Sequence, residues 1–181
     1  MLRKLSEKRM PSVVHKLLEP LAWLQGTWRT EDPASGSYPT IKDFNYCEEI
    51  SFVSIGQPMF NYTSRSWHPE TKRPMHLETG FLKVYEKINN EDSTKVEFIL
   101  AHNFGLSTIE QGYISEKSIY LKTNGILKSE RSKSPHVTEI TREYRLLDDN
   151  HLEQVIHMAT TNTPTLHKHL LAKYVKVSEE T

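Results

Sequence analysis

Along most of the chain, apolar and polar residues alternate one for one. In Asp43–Ser54, Phe44, Tyr46, Ile50 and Phe52 share one parity, and Asn45, Glu49 and Ser51 share the other. Val96, Phe98 and Leu100 alternate with Lys95 and Glu97, and Ile119 and Leu121 with Ser118, Tyr120 and Lys122. Ile140, Tyr144 and Leu146 oppose Glu139 and Glu143. Period two is the mark of a strand with one face in a core and one in water. Turn chemistry separates the runs: Ser54–Pro58 around Gly56, His68–Pro74, Lys87–Thr94 with Asn89-Asn90, Asn103–Leu106 around Gly105, Asn124–Pro135, and Leu147–Asn150. The count is about ten strands at roughly 8–14-residue spacing. A meander of that length forms a barrel or a sandwich. Closure removes the edges that an open sheet would expose, and ten strands enclose more space than eight. The pattern therefore predicts an all-β fold, an antiparallel β-barrel of about ten strands around a cavity.

Ahead of Gly26 the spacing turns helical, with Leu17, Leu21 and Leu24 on one stripe and Pro20 acceptable in a first turn. A short helix here would plug one end of the barrel. Residues 1–15 read as an N-terminal tail, 16–177 as one domain and 178–181 as a second tail. Lys+Arg and Asp+Glu both number 23, so the formal net charge is +0. That balance gives no electrostatic footprint for nucleic acid and no basic face for a membrane. No apolar run reaches the length of a membrane span, and the N-terminus has no secretory h-region. The one cysteine, Cys47, excludes an intrachain disulfide framework and a multi-cysteine zinc module. It fits a reducing compartment, so the expected location is the cytoplasm, with the nucleus also open.

Chemistry rests on a few positions. Glu48 falls on the apolar parity of its strand, which predicts burial with a cationic partner such as Arg65 or Arg142. The chain has nine histidines. His76, in Pro74-Met75-His76, opens a strand; His102 ends one and His136 starts one. His167 and His169 are i, i+2 on the last strand and share a face. Zinc could use that pair, although spacing identifies no third ligand. Haem iron needs only one imidazole. His169 shares a parity with Leu171 and Val175 but also with Lys173, while Leu170, Ala172 and Tyr174 form a rival apolar face, so periodicity leaves its direction open. The Thr40 hydroxyl, after the turn-rich Glu31–Ser37, could bond an anion at a barrel mouth. No nucleophile elbow, phosphate loop or dinucleotide fingerprint occurs.

Taken together, the motifs resemble the nitrobindins over residues 17–176. They are Leu21-Ala22-Trp23-Leu24-Gln25-Gly26-Thr27-Trp28, Tyr38-Pro39-Thr40-Ile41, Tyr46-x-Glu48-Glu49-Ile50-x-Phe52, Pro74-Met75-His76-x-Glu78-x-Gly80-Phe81, and Leu166-x-x-His169-Leu170-x-Ala172. A similar domain forms the haem-binding C-terminal part of a THAP-type zinc-finger protein. The resemblance implies a barrel similar to fatty-acid-binding proteins and lipocalins that holds ferric haem b. It implies His169 as the iron ligand and catalytic centre, Thr40 near the haem, and His76 on the distal side with Met75 as neighbour. The implied activity is isomerisation of peroxynitrite to nitrate, with nitric oxide as a further ligand; a homodimer is left open. His136 stands where relatives carry a lysine, a candidate contact for a haem propionate. Thr30 and Asp32 replace two glycines of the family's opening motif. The rival readings are a carrier of a fatty acid or other apolar ligand, with Arg65 or Arg142 holding its carboxylate, an interaction scaffold, and a zinc site on His167 and His169.

Overall fold

A computed structural model describes residues 14–87 and 93–178. Most of the N-terminal tail, the Asn89-Asn90 turn and the last three residues lie outside the described residues. The strands are β1 (Gly26–Thr30), β2 (Ala34–Tyr38), β3 (Ile41–Ser54), β4 (Met59–Trp67), β5 (Pro74–Val84), β6 (Thr94–His102), β7 (Leu106–Ser115), β8 (Ser118–Lys128), β9 (Val137–Asp148), β10 (His151–Thr160) and β11 (Thr163–Lys176). From β3 to β11 each strand pairs antiparallel with the next, and β1 and β2 close the ring by pairing with both β3 and β11. β1 and β2 are one stave broken at Glu31-Asp32-Pro33. Between Trp28 and Ala34 the stave takes six steps where β3 takes four, from Ile50 to Tyr46. Pro33 has no N–H to give a ladder, which suits it to the break. Counted this way the barrel has ten staves, the number that the turn spacing predicts.

One turn is shorter than its sequence suggests. β8 runs through Asn124 and Gly125 to Lys128, held by its ladder to β7, so pairing overrides local turn preference. The tight turn at Glu116-Lys117, with Glu116 at φ 51°, carries neither glycine nor proline and is silent in the sequence.

Inward side chains form three layers, crossed in the same order by the long strands. β3 runs from Phe52 and Ile50, through Glu48, to Tyr46 and Phe44; β5 from Val84 and Leu82, through Glu78, to His76. β9 runs from Leu146 and Tyr144, through Arg142, to Ile140, and β10 from Leu152, through Gln154, to Ile156. The first layer is solid. Phe52, Tyr62 and Phe98 meet with ring centroids 4.7–6.4 Å apart, contacts worth about 0.5–1.5 kcal/mol each beyond burial. A 3-10 helix, Lys16–Leu24, closes this end. In a 3-10 helix residues i and i+3 eclipse, so the buried stripe is Leu18, Leu21 and Leu24, and Leu17 only packs beside it. Trp28 Nε1 donates to Leu24 O at 2.8 Å and ties the helix to β1.

The second layer is polar and buried. Arg142 donates from Nη1 and Nη2 to Glu78 at 3.1 Å each, and from Nε to Glu110 at 3.1 Å. Glu48 is buried as its parity predicts, but its partners are Ser64 Oγ and the Tyr174 hydroxyl, both at 2.6 Å, and not an arginine. Arg65 lies on the outer face against Glu49. Burial pushes the Glu48 carboxyl up, and the hydrogen bonding agrees. Tyr174 has one proton, and its hydroxyl is 2.7 Å from Gln154 Oε1; a protonated Glu48 donating to Tyr174 satisfies all three groups.

Two outcomes follow for stability. A Cβ on Gly80 would lie 1.9 Å from Ile99 O of the neighbouring strand, so Gly80→Ala is expected to force β5 from β6 and cost about 1–3 kcal/mol in denaturant melts. Arg142→Met strands two buried carboxylates and should cost about 3–5 kcal/mol at neutral pH. Without the guanidinium, burial raises both carboxyls above their unfolded values, so protonation favours the folded variant. The deficit should therefore shrink as the pH falls toward 5, read from urea melts at each pH; a deficit independent of pH would contradict this.

Candidate functional site

Beyond the polar layer the barrel is hollow. A cavity of about 300 Å³ has Glu48, Glu78, His102 and Arg142 on its floor. Phe44, Tyr46, Leu106, Val137, Ile140, Ile156, Met158 and Leu170 supply its walls, with Ser66, Met75, His76, Phe104 and His169 completing the lining. Apolar walls with a few convergent polar groups are the usual make-up of a ligand site, and this volume is at the low end of that class. The Tyr46 hydroxyl is buried without a partner among the described residues. A buried hydroxyl left unbonded costs free energy, so a ligand that accepts from it gains accordingly.

His169 reaches this cavity because β11 is irregular. Ile156 pairs with Leu170 but His157 pairs with Lys168, leaving His169 as the extra residue of a bulge. A bulge breaks alternation, and both His169 and Leu170 line the cavity. This is why strand parity alone leaves the imidazole's direction open. His169 Nδ1 is 3.0 Å from the carbonyl oxygen of Ser37. That carbonyl can only accept, so Nδ1 carries the proton and Nε2 keeps a free lone pair. Burial is the main reason its pKa falls below the ordinary histidine value, which favours the neutral imidazole that a metal needs. The rings of Tyr38 and Phe44 meet it edge-on at 5.5 and 6.2 Å. Gly36 makes room for Phe44, since a Cβ there would lie 2.2 Å from that ring.

His76 and Met75 border the same cavity as His169. The His76 backbone is fixed by Ser66, whose Oγ accepts from His76 N at 3.0 Å. Thr40 lies exposed in the turn after β2 and is not part of the lining; Tyr38, two residues earlier, is the member of that motif touching His169. His136 is half-buried in an adjoining groove with Lys128, Arg131 and Lys133, which shares Phe104, Leu106 and Val137 with the cavity. Thr30 and Asp32 stay off the cavity wall, and Thr30 Oγ1 accepts from Glu48 N at 3.0 Å. Arg65 is outside the barrel and Arg142 is committed to two carboxylates. Sequence reasoning misses Ser37, which acts through its backbone, and Lys128, Arg131 and Lys133, which look like an ordinary solvated run.

Comparison with known proteins agrees with this fold. Residues 17–176 match the profile of the THAP4-like, heme-binding beta-barrel domain. The human protein "Peroxynitrite isomerase THAP4" is 38% identical over 174 residues, 96% of this chain but 29% of that protein, so the chain spans less than a third of its relative. "Peroxynitrite isomerase Rv2717c" of Arabidopsis thaliana is 38% identical over 161 residues, 88% of each chain. The crystal structure of Rv2717c from M. tuberculosis superposes with a TM-score of 0.77 at 30% identity, covering 91% of this chain and 99% of that one. A hollow ten-stave barrel whose last strand presents a neutral imidazole, carried on these similarities, makes the chain a member of the THAP4-like, heme-binding β-barrel family.

Proposed function

We propose that this chain holds a ferric haem b through His169 Nε2 and isomerises peroxynitrite to nitrate, with nitric oxide as a second ligand of the same site. The observation that carries the reading is the bulge that turns His169 into the cavity with its Nδ1–H anchored on Ser37 O. A metal-ligating histidine almost always has its other nitrogen so anchored, which fixes both tautomer and ring direction. The activity rests on the names of the relatives, and the donor set fits it. Bound there, the iron would act as a Lewis acid toward a small anion.

The chain's own residues do the rest. Tyr38 and Phe44 wedge the imidazole from the sides, and the wall from Leu106 to Met158 gives the cavity a largely apolar surround. The Tyr46 hydroxyl is a donor in want of an acceptor. Lys128, Arg131 and Lys133 form a positive lip beside His136, suited to the carboxylates of a porphyrin. The carrier reading finds less support, because the only cavity arginine among the described residues is already spent on Glu78 and Glu110.

His169→Ala, mixed with one equivalent of hemin, should show no protein-bound Soret band and no isomerase activity while keeping its β-sheet circular dichroism. A variant that keeps the wild-type Soret band would overturn the assignment. A second outcome concerns pH. Protonation of Nε2 competes with iron, and burial places the folded pKa of His169 below the ordinary 6.5. Haem should therefore stay bound as the pH drops past 6.5 and leave only as it falls through the depressed value. A spectroscopic titration with its midpoint at 6.5 or above would contradict this.

A further inference from the structure

A second cluster on the cavity wall is independent of His169. His76 Nε2 lies 3.2 Å from Glu78 Oε1, His102 Nδ1 lies 3.2 Å from His76 Nε2, and His102 Nδ1 lies 3.4 Å from Glu78 Oε1. Two imidazole nitrogens and one carboxylate oxygen thus form a nearly equilateral triangle, and no other such trio of potential ligands occurs among the described residues. The size of the triangle is informative. An ion ~2.1 Å from each of three such atoms sits about 1 Å out of their plane, the arrangement of three ligands on one face of a metal. We propose that His76, Glu78 and His102 form a binding site for a divalent transition-metal ion, with its open positions facing the cavity.

The hydrogen bonding around His102 supports this. Thr108 Oγ1 donates to Glu110 Oε1 at 3.3 Å, so its lone pair is what faces His102 Nε2 at 3.4 Å. Nε2 then carries the proton, and Nδ1 is left bare and aimed at the triangle. A ligating imidazole fixed by its remote nitrogen in this way is the common support for a bound metal. Glu78 shares the Arg142 guanidinium with Glu110, which meets it from the Nε side, so Arg142 is not engaged by Glu78 alone. His102 and Glu78 are buried while His76 is only half-buried, which leaves a route for the ion from the cavity side. The rings of His76 and His102 lie 5.2 and 5.5 Å from Phe104, an apolar neighbour on that route. Two imidazoles and one carboxylate with open positions suit Fe(II), Mn(II), Co(II) or Zn(II), and not Ca(II) or Mg(II), which favour oxygen.

This site does not rest on the haem reading. The test uses Co(II) as the probe, titrated into the full chain after removal of adventitious metals with a chelator, followed by calorimetry and visible d–d absorbance. One equivalent should bind to the wild type. His76→Ala and His102→Ala should abolish that binding, and Thr108→Val should weaken it about tenfold or more. His169→Ala should leave it unchanged. His76 is half-buried, so His76→Ala should fold, and circular dichroism checks that it does. Unchanged Co(II) binding in His76→Ala or His102→Ala, or binding that disappears in His169→Ala, would overturn the proposal, as would no binding to the wild type.

Discussion

The structure depends on one buried arginine. Arg142 is inside the barrel with Glu78 on one side and Glu110 on the other. A buried ion pair adds little net stability compared with apolar packing. Here it sets where the apolar core ends. Around it Tyr62, Tyr144, Gln154, Tyr174, Ser64 and Glu48 complete a hydrogen-bonded layer across the barrel. On the helix side of that layer aromatic rings fill the interior, and on the other side the interior is open. Ten staves enclose more space than side chains fill at this radius. A satisfied polar floor lets the remaining space stay a cavity and not collapse onto the core.

The layering is partly legible in the sequence. Period-two alternation reveals the strands, and the turns give the stave count. Glu48 on an apolar parity flags the polar layer. Partner choice is not legible, because Arg142 and Glu78 are 64 residues apart and are brought together only by closure of the sheet. The same distance effect hides Ser37, whose carbonyl meets His169 across 132 residues. Resemblance supplies His169 where periodicity does not, and the structure gives the physical reason: alternation fails at a bulge.

Irregularity and function coincide here. Among the several breaks in the ladder, three adjoin the cavity residues: at Glu31-Asp32-Pro33, between β4 and β5 near His76, and in β11 at His169. Two of these three breaks put a histidine at the cavity, and the third precedes the β2 segment that carries Ser37 and Tyr38. The filled end needs inward residues that are mostly apolar, which alternation supplies. Departures from it re-aim side chains where a ligand must be met. Gly36 belongs with these devices, since it gives up a side chain so that Phe44 can lie against the His169 ring.

His169 and His102 each commit one ring nitrogen to an acceptor in the barrel wall. His169 is committed through Nδ1 to a backbone carbonyl and presents Nε2; His102 is committed through Nε2 to Thr108 and presents Nδ1. In each case the committed nitrogen faces the wall and the free one faces the cavity. A carbonyl oxygen and a hydroxyl already donating elsewhere are both obligate acceptors, so neither ring can reverse its tautomer without losing a bond in a poorly solvated place. The cost of that lost bond keeps the lone pairs pointed inward. Imidazole lone pairs aimed into one cavity suit iron or another transition metal, and a site for a fatty-acid carboxylate would instead need a free cation there.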